Sequence, residues 1–219
     1  MRHRAIICLL CASSWAWATS DFAYVNSANA PEARDAVVID TRPLAECRQA
    51  SMKGARCLPA EDFVASSGQL PHERDLLWLL GTAGLNGNEN VLVTGTTAGA
   101  RDFIAGLLYL AGQRTVRVLD AQPLIEAGPG RERGMVRSAV WTAPLRDHLW
   151  VLGKDILRDR PALADARAPT PPAPHAVVVA ADTASALARF TQWRAGQGFD
   201  VRVFPGPLPQ KPEADSTRR

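Results

Sequence analysis

The sequence predicts an α/β protein: a parallel sheet flanked by helices, present twice, with the second copy shortened. Three observations predict it. Short β-branched runs bounded by turn residues read as buried strands. Residues 91–119 run strand, small-residue loop, helix, Gly, strand, which is a βαβ unit and makes the sheet parallel there. The same order then returns in the second half of the chain.

In chain order, Val37-Val38-Ile39-Asp40 is a buried strand ending in an acid, and residues 43–49 have the character of a helix start, with Pro43 in the first turn and Glu46 inside it. Residues 56–59 form a short strand closed by Pro59. Residues 61–66 and 74–80 read as helical, the second carrying Leu76, Leu77 and Leu80 in a stripe. Asn86-Gly87-Asn88 is a turn. Val91-Leu92-Val93-Thr94 is the next strand and runs into a loop of small residues. Residues 101–111 form a helix with Phe103, Leu107 and Leu110 on one face, and Gly112 stands where a C-cap belongs. Val116-Arg117-Val118-Leu119 is one more strand.

Residues 128–134 are polar and rich in Gly and Pro, and the boundary between lobes falls there. Beyond it, residues 136–141 are expected to open as a strand and 145–157 to be helical. The echoes follow. Residues 162–167 end in Asp165-Ala166-Arg167 as residues 37–42 end in Asp40-Thr41-Arg42. Ala176-Val177-Val178-Val179-Ala180 echoes 90–94, residues 182–186 echo the small-residue loop, and Ala195-Gly196-Gln197 repeats Ala111-Gly112-Gln113. Residues 168–174 (APTPPAP) replace the early helices of the first copy. The organisation is therefore a leader over 1–18, a first domain over 19–130, a second lobe over 136–207 and a disordered tail over 208–219.

The leader reads as a secretory signal peptide. Arg2, His3 and Arg4 form a basic start, residues 5–12 a short apolar core, and Ala16-Trp17-Ala18 a cleavage pattern, so the cut is expected after Ala18. Leu10 weakens a lipoprotein reading through Cys11, and an uncleaved anchor is the remaining alternative. No later segment has about twenty continuous apolar residues, so no span is expected after cleavage. The protein is expected in the periplasm or outside the cell. Of 219 residues, 47% are apolar and 21% charged, ordinary for a globular protein. A net charge of +3 with no polybasic run argues against nucleic acid.

Cys47 and Cys57 are the cysteines left after cleavage. In an oxidising compartment they can pair; equally, they can be two small buried apolar residues. Their spacing is neither a redox C-x-x-C nor a zinc pattern. His72, His148 and His175 match no ligand spacing, and neither G-x-S-x-G, a P-loop nor H-E-x-x-H occurs. No metal or cofactor is implied. Trp78, Trp141, Trp150 and Trp193 read as packing residues. Asp40, Arg42 and Glu46 read as a loop-bracing ion cluster rather than catalytic groups, and Asp165 with Arg167 likewise.

These residues resemble the rhodanese (sulfurtransferase) family in its two-lobe arrangement. Its first signature is matched by Asp40-Thr41-Arg42, by Glu46 and by Gly54-Ala55-Arg56-Cys57-Leu58-Pro59; Ala50, Ser51 and Met52 depart from it. Its second signature is matched by residues 91–119. The resemblance implies an active-site loop after the central strand whose inward N–H groups, with the following helix N-terminus, lower a cysteine pKa and hold a persulfide. Here the loop is Gly95, Thr96, Thr97, Ala98, Gly99, Ala100 and Arg101, with Gly95 in the cysteine position and no sulfur anywhere in it. In the second copy Ala180 and Ala181 take that place. A hydroxyl such as that of Thr96 or Thr97 carries no transferable sulfane sulfur. The expectation is a non-catalytic binding protein, with a small oxyanion, a sulfur species or a periplasmic partner held at this loop and Arg101 adding charge-assisted bonds. Two alternatives stay open: a thiosulfate sulfurtransferase using Cys57 or Cys47 from off the loop, and a structural or interaction protein of the cell envelope. The plainer reading of the loop is that its small residues only let strand and helix pack.

Overall fold

A computed structural model of the chain describes residues 20–27, 33, 35–65, 67–120 and 128–206. The leader over 1–18 and the tail over 208–219 lie outside the described residues. Two parallel sheets form the frame. The first has five strands in the order β1-β5-β4-β2-β3, comprising β1 (Phe22–Val25), β2 (Val37–Asp40), β3 (Arg56–Cys57), β4 (Asn90–Thr94) and β5 (Thr115–Leu119). Strand β4 is central, and Val91, Leu92 and Val93 are all buried, as a strand covered on both faces requires. The sequence reading assigned no strand to β1. It pairs with β5 from Phe22 opposite Val116 to Val25 opposite Leu119, and Phe22 stacks on Tyr109 with ring centroids 4.3 Å apart.

The helices of this lobe are α1 (Leu44–Gln49), α2 (Glu73–Thr82) and α3 (Ala98–Leu110), with a 3-10 turn over Ala60–Phe63 where a helix over 61–66 was expected. The second sheet has three strands, β6 (Leu163–Asp165), β7 (Val177–Val179) and β8 (Arg202–Val203), in the order β6-β7-β8. Its helix α5 (Thr183–Thr191) lies between β7 and β8 in sequence, as α3 lies between β4 and β5. A π-helical turn over Gln192–Gly196 extends α5 and buries Trp193 completely.

Helix α3 is buried on every side from Arg101 to Leu110 because the first sheet covers one face and α5 the other. Gly106 allows this approach. A Cβ added there would meet Thr191 Oγ1 at 2.6 Å and the Leu187 carbonyl at 3.0 Å. Thr191 Oγ1 donates to the Asp102 carbonyl at 2.8 Å, and Gln192 Nε2 to the Asp102 carboxylate at 3.1 Å.

Two expectations for the middle of the chain are corrected. The segment after residue 128 is no free linker, and 136–141 form no strand. Its backbone answers the C-terminal carbonyls of α2 instead: Gly134 N donates to Thr82 O, and Ser138 N and Ala139 N both donate to Gly81 O. With Ser138 and Ala139 held on this helix end the segment does not line up with a sheet, and Val136 and Val140 are left exposed. Backbone bonds to the first lobe continue as far as Arg146, whose N–H donates to Leu110 O of α3. The helix expected over 145–157 is split into a 3-10 turn over Asp147–Leu149 and α4 (Gly153–Asp159). Trp150 bridges to Val203, and Val151 N donates to Val203 O, which breaks the helical ladder between them.

Gly106→Ala is expected to lower stability by about 1–3 kcal/mol through overpacking against Leu187 and Thr191, although alanine favours a helix by about 1 kcal/mol. A urea midpoint equal to or above that of the parent would show that α3 and α5 are not in contact at Gly106.

Candidate functional site

The C-terminal edge of the first sheet gathers the ends of β2, β4 and β5. The Thr94 carbonyl, at the end of β4, accepts from Thr41 N at 3.0 Å and from Thr41 Oγ1 at 3.1 Å. Thr41 thereby fills the space beside Gly95. A Cβ built on Gly95 would lie 2.2 Å from Thr41 Oγ1, so no side chain fits there while Thr41 keeps its place. The loop is also shorter than expected. Residues 95–97 alone are non-helical, and Ala98, Gly99 and Ala100 form the first turn of α3, because Arg101 N already donates to Thr97 O at 3.0 Å. Thr96, Thr97, Ala98 and Gly99 are exposed. The side chain of Thr97 does not cap α3, so the N–H groups of its first turn face outward without a side-chain partner.

Arg101 does not join this turn, contrary to expectation. Its guanidinium is buried and points to the end of β5: Nε donates to Asp102 Oδ1 at 3.0 Å, Nη1 to Leu119 O at 2.9 Å and Nη2 to Asp120 Oδ1 at 3.3 Å. It also sits 5.6 Å from the Tyr24 ring centre. A helix-entry arginine with two carboxylates and a buried carbonyl in reach has more to gain inward than at an exposed turn.

Below the turn, Asp40 and Arg42 form a buried brace. Arg42 Nη2 donates to Asp40 Oδ2 at 2.6 Å and to Ala50 O at 2.6 Å, Ser51 Oγ donates to Asp40 Oδ2 at 2.6 Å, and Arg42 N donates to Oδ1 at 3.0 Å. Burial pushes the Asp40 carboxyl up, but the bonds from Arg42 and Ser51 outweigh it and hold the group below the usual carboxylate range. Glu46 is exposed and makes no ion pair with Arg42, so the expected three-member cluster is a pair plus Ser51. Its position on the solvent face of α1 turns it away. Asp165 and Arg167 form no ion pair either; the Asp165 carboxylate accepts only from Arg167 N, at 2.8 Å.

Cys47 and Cys57 are joined in a disulfide, which decides between the two readings of these residues. Both are fully buried. Gly130 presses on the bridge: a Cβ there would fall 2.4 Å from Cys47 Sγ and 2.7 Å from Cys57 Sγ.

In the second lobe, a cavity of about 540 Å³ opens at the ends of β6 and β7, lined by Asp165, Arg167, Ala180, Asp182, Arg189 and Gln192 among others. Its helix end is already occupied. Asp182 caps α5, accepting from Ser185 N at 2.7 Å and from Ser185 Oγ at 2.8 Å, so a carboxylate stands where an anion would sit. Arg189 Nε donates to Ala166 O, and its guanidinium lies 5.5 Å from the Trp193 ring centre. A second cavity of about 880 Å³, with Leu70, Leu76, Leu110, Leu145, Trp150 and Phe204 in its wall, lies between the lobes. Among the described residues no group of His, Cys, Asp and Glu is arranged to hold a metal ion, and no helix is long and apolar enough to cross a membrane.

Sequence reasoning missed Thr41, Ser51, Gly130 and Asp182. Only Asp182 carried a usable signal, an acid three residues before Ser185 at a helix start.

No family model and no curated protein matches the sequence. Solved structures match it in fold. A probable thiosulfate sulfurtransferase superposes with a TM-score of 0.55 at 22% identity, over 82% of this chain and 98% of that one. The 3-mercaptopyruvate sulfotransferase SseA from Escherichia coli, described as having the "Rhodanese" fold, gives 0.62 at 13% identity, over 88% of this chain and 100% of that one. YnjE gives 0.64 at 13%, and this chain spans 61% of its length. The chain has a rhodanese-like fold, a mixed α/β architecture with a parallel sheet flanked by helices.

Two predictions follow from the bonds at this edge. Replacing Cys47 and Cys57 together by alanine is expected to cost about 3 kcal/mol, the loop-closure value for a bridge of this span, measured by guanidinium unfolding; an unchanged midpoint would show that the bridge contributes nothing. Because the folded Asp40 pKa is depressed, its contribution is present above the unfolded value near 4 and is lost as pH falls through the lower folded value. Asp40→Asn is therefore expected to flatten the fall of stability below about pH 4; identical acid-unfolding slopes in parent and variant would contradict this.

Proposed function

We propose that this is an exported, non-catalytic rhodanese-like protein that works by binding, with the exposed turn at residues 96–100 as its contact surface for a partner protein of the cell envelope. One observation carries the proposal: the position beside β4 where a nucleophile would sit is closed by Thr41 Oγ1, 2.2 Å from any Cβ on Gly95. Ala180 and Ala181 offer no sulfur in the second lobe. The alternative through Cys57 or Cys47 is disfavoured because both are bridged and buried, and a disulfide sulfur is not a nucleophilic thiolate. Export is supported by the signal-like leader and by that same bridge, since disulfides persist in oxidising compartments.

A partner protein fits the turn better than a small anion does, because Arg101 is turned away and neutralised. One observation favours the anion as a second reading: the uncapped N–H groups at the start of α3. A structural role in the envelope is the remaining alternative, and the cavity between the lobes is its surface.

In a cyanide-dependent thiosulfate assay the mature protein is expected to form no thiocyanate above a protein-free blank, and Cys57→Ala to behave the same; robust turnover lost in that variant would overturn the proposal. Mass spectrometry of the periplasmic fraction is expected to find the chain starting at Thr19, and a chain retained in the cytoplasm with Met1 would overturn the export part. Gly99→Asp places a carboxylate at the turn and separates its two ligands. A small anion bound there would lose its calorimetric heat, whereas unchanged heats leave the turn to a protein.

A further inference from the structure

Arg56 and Arg131 stand side by side on adjoining strands. Cys57 N donates to Arg131 O at 2.8 Å and Arg131 N to Ala55 O at 2.8 Å, so the chain around residue 131 is a short parallel neighbour of β3, with Arg56 opposite Arg131. Side chains opposite one another in such a pair project to the same face. They converge at Gly84, just beyond α2, whose φ is +80°. From the point where a Cβ of Gly84 would lie, Arg56 Nη1 is 3.3 Å away, Arg131 Nη2 3.4 Å and Ser138 Oγ 3.1 Å. The two guanidiniums are thus within about 7 Å of one another, a repulsive separation for like charges.

A carboxylate in direct contact usually balances such a pair. Among the described residues, no ion pair involves Arg56 or Arg131. Glu89, the carboxylate whose charge reaches Arg56, has its oxygens occupied by Asn86 N, Gly87 N and Gln113 Nε2. Burial, and then the charge of Arg131, hold the half-buried Arg56 below the usual arginine range. A purely structural role explains only half of the arrangement. Arg56 Nη1 donates to Ala83 O at 3.1 Å and so serves the negative end of α2. The exposed Arg131 side chain makes no hydrogen bond to any described residue, yet it is held beside a like charge.

We infer that Arg56, Arg131 and Ser138 form a binding site for a small tetrahedral oxyanion of the sulfate or phosphate type, built from residues other than those of the turn after β4. Guanidinium forks match the paired oxygens of such an ion, and the nearest neutral donor is the Ser138 hydroxyl, which in the free protein makes a long bond of 3.5 Å to the Gly81 carbonyl. The ion sits between the two guanidiniums and offsets their repulsion.

The test is calorimetric titration of the mature protein with sodium sulfate, phosphate and thiosulfate separately, at ionic strength held constant with chloride. At least one of these anions is expected to bind saturably at one site. Arg131→Gln is expected to weaken it at least tenfold. Arg131→Glu is expected to abolish it, because the new carboxylate pairs with Arg56; this residue is exposed, and an unchanged near-ultraviolet dichroism spectrum confirms that the variant folds. Lys154→Gln, a loss of charge on α4, is expected to leave affinity unchanged. No saturable binding by any of the three anions, binding by Arg131→Glu equal to that of the parent, or an equal loss in Lys154→Gln would each overturn the inference.

Discussion

The bond that the functional reading depends on is the double tie from Thr41 to the Thr94 carbonyl. A parallel strand ends with carbonyls that need partners. In this chain the residue that supplies them comes from the neighbouring strand β2 and uses both its backbone and its side chain. The hydroxyl thereby takes the volume into which a side chain on residue 95 would project. The glycine at that position is enforced by packing, because the closed turn leaves no volume for a side chain there. Any side chain placed at residue 95 would force Thr41 to move and leave the Thr94 carbonyl short of two bonds.

The rest of the first lobe supports that edge from below and from outside. Asp40, carrying Arg42 and Ser51, fixes the chain that delivers Thr41. The Cys47–Cys57 bridge ties α1 to β3, and Gly130 packs on it so closely that any side chain would displace a sulfur. The segment from 128 to 146 is in this way part of the first lobe, although its composition is that of a linker. Lobe joins lobe through α3 and α5, where Gly106 and Thr191 bring the two backbones together.

The sequence made the strands of the frame legible wherever they are buried on both faces, because continuous Val, Ile and Leu runs have few other homes. That covered β2, β4, β5 and β7. Edge strand β1 was not read: FAYV is only four residues, and although Ser20-Asp21 and Asn26-Ser27 flank it, its apolar character is equally that of a loop packed on Tyr109. The strand expected over 136–141 failed for the opposite reason. Its residues suit a strand, but the N–H groups of Ser138 and Ala139 bond the end of α2 instead. For the candidate site, the absence of sulfur in both turns could be read directly. The direction of Arg101 could not, since its partners Asp120 and Leu119 lie eighteen or more residues away along the chain and meet it only in the fold.

The distribution of charge follows from these placements. Each lobe has a helix starting at its sheet edge, where the backbone favours an anion. In the second lobe Asp182 already supplies the negative group, and in the first Arg101 has left the helix entry to neutralise Asp102 and Asp120. At the second edge Asp182 meets the positive field of the helix start, while at the first only the uncapped N–H groups of α3 supply it. Two adjacent cations lie elsewhere: Arg56 and Arg131 are aligned by a parallel bridge, and among the described residues neither forms an ion pair. The proposed oxyanion site therefore rests on paired guanidiniums at a sheet edge and not on backbone dipoles at a strand end. Such a site binds by formal charge and fork geometry, so it would hold an oxyanion without activating any sulfur.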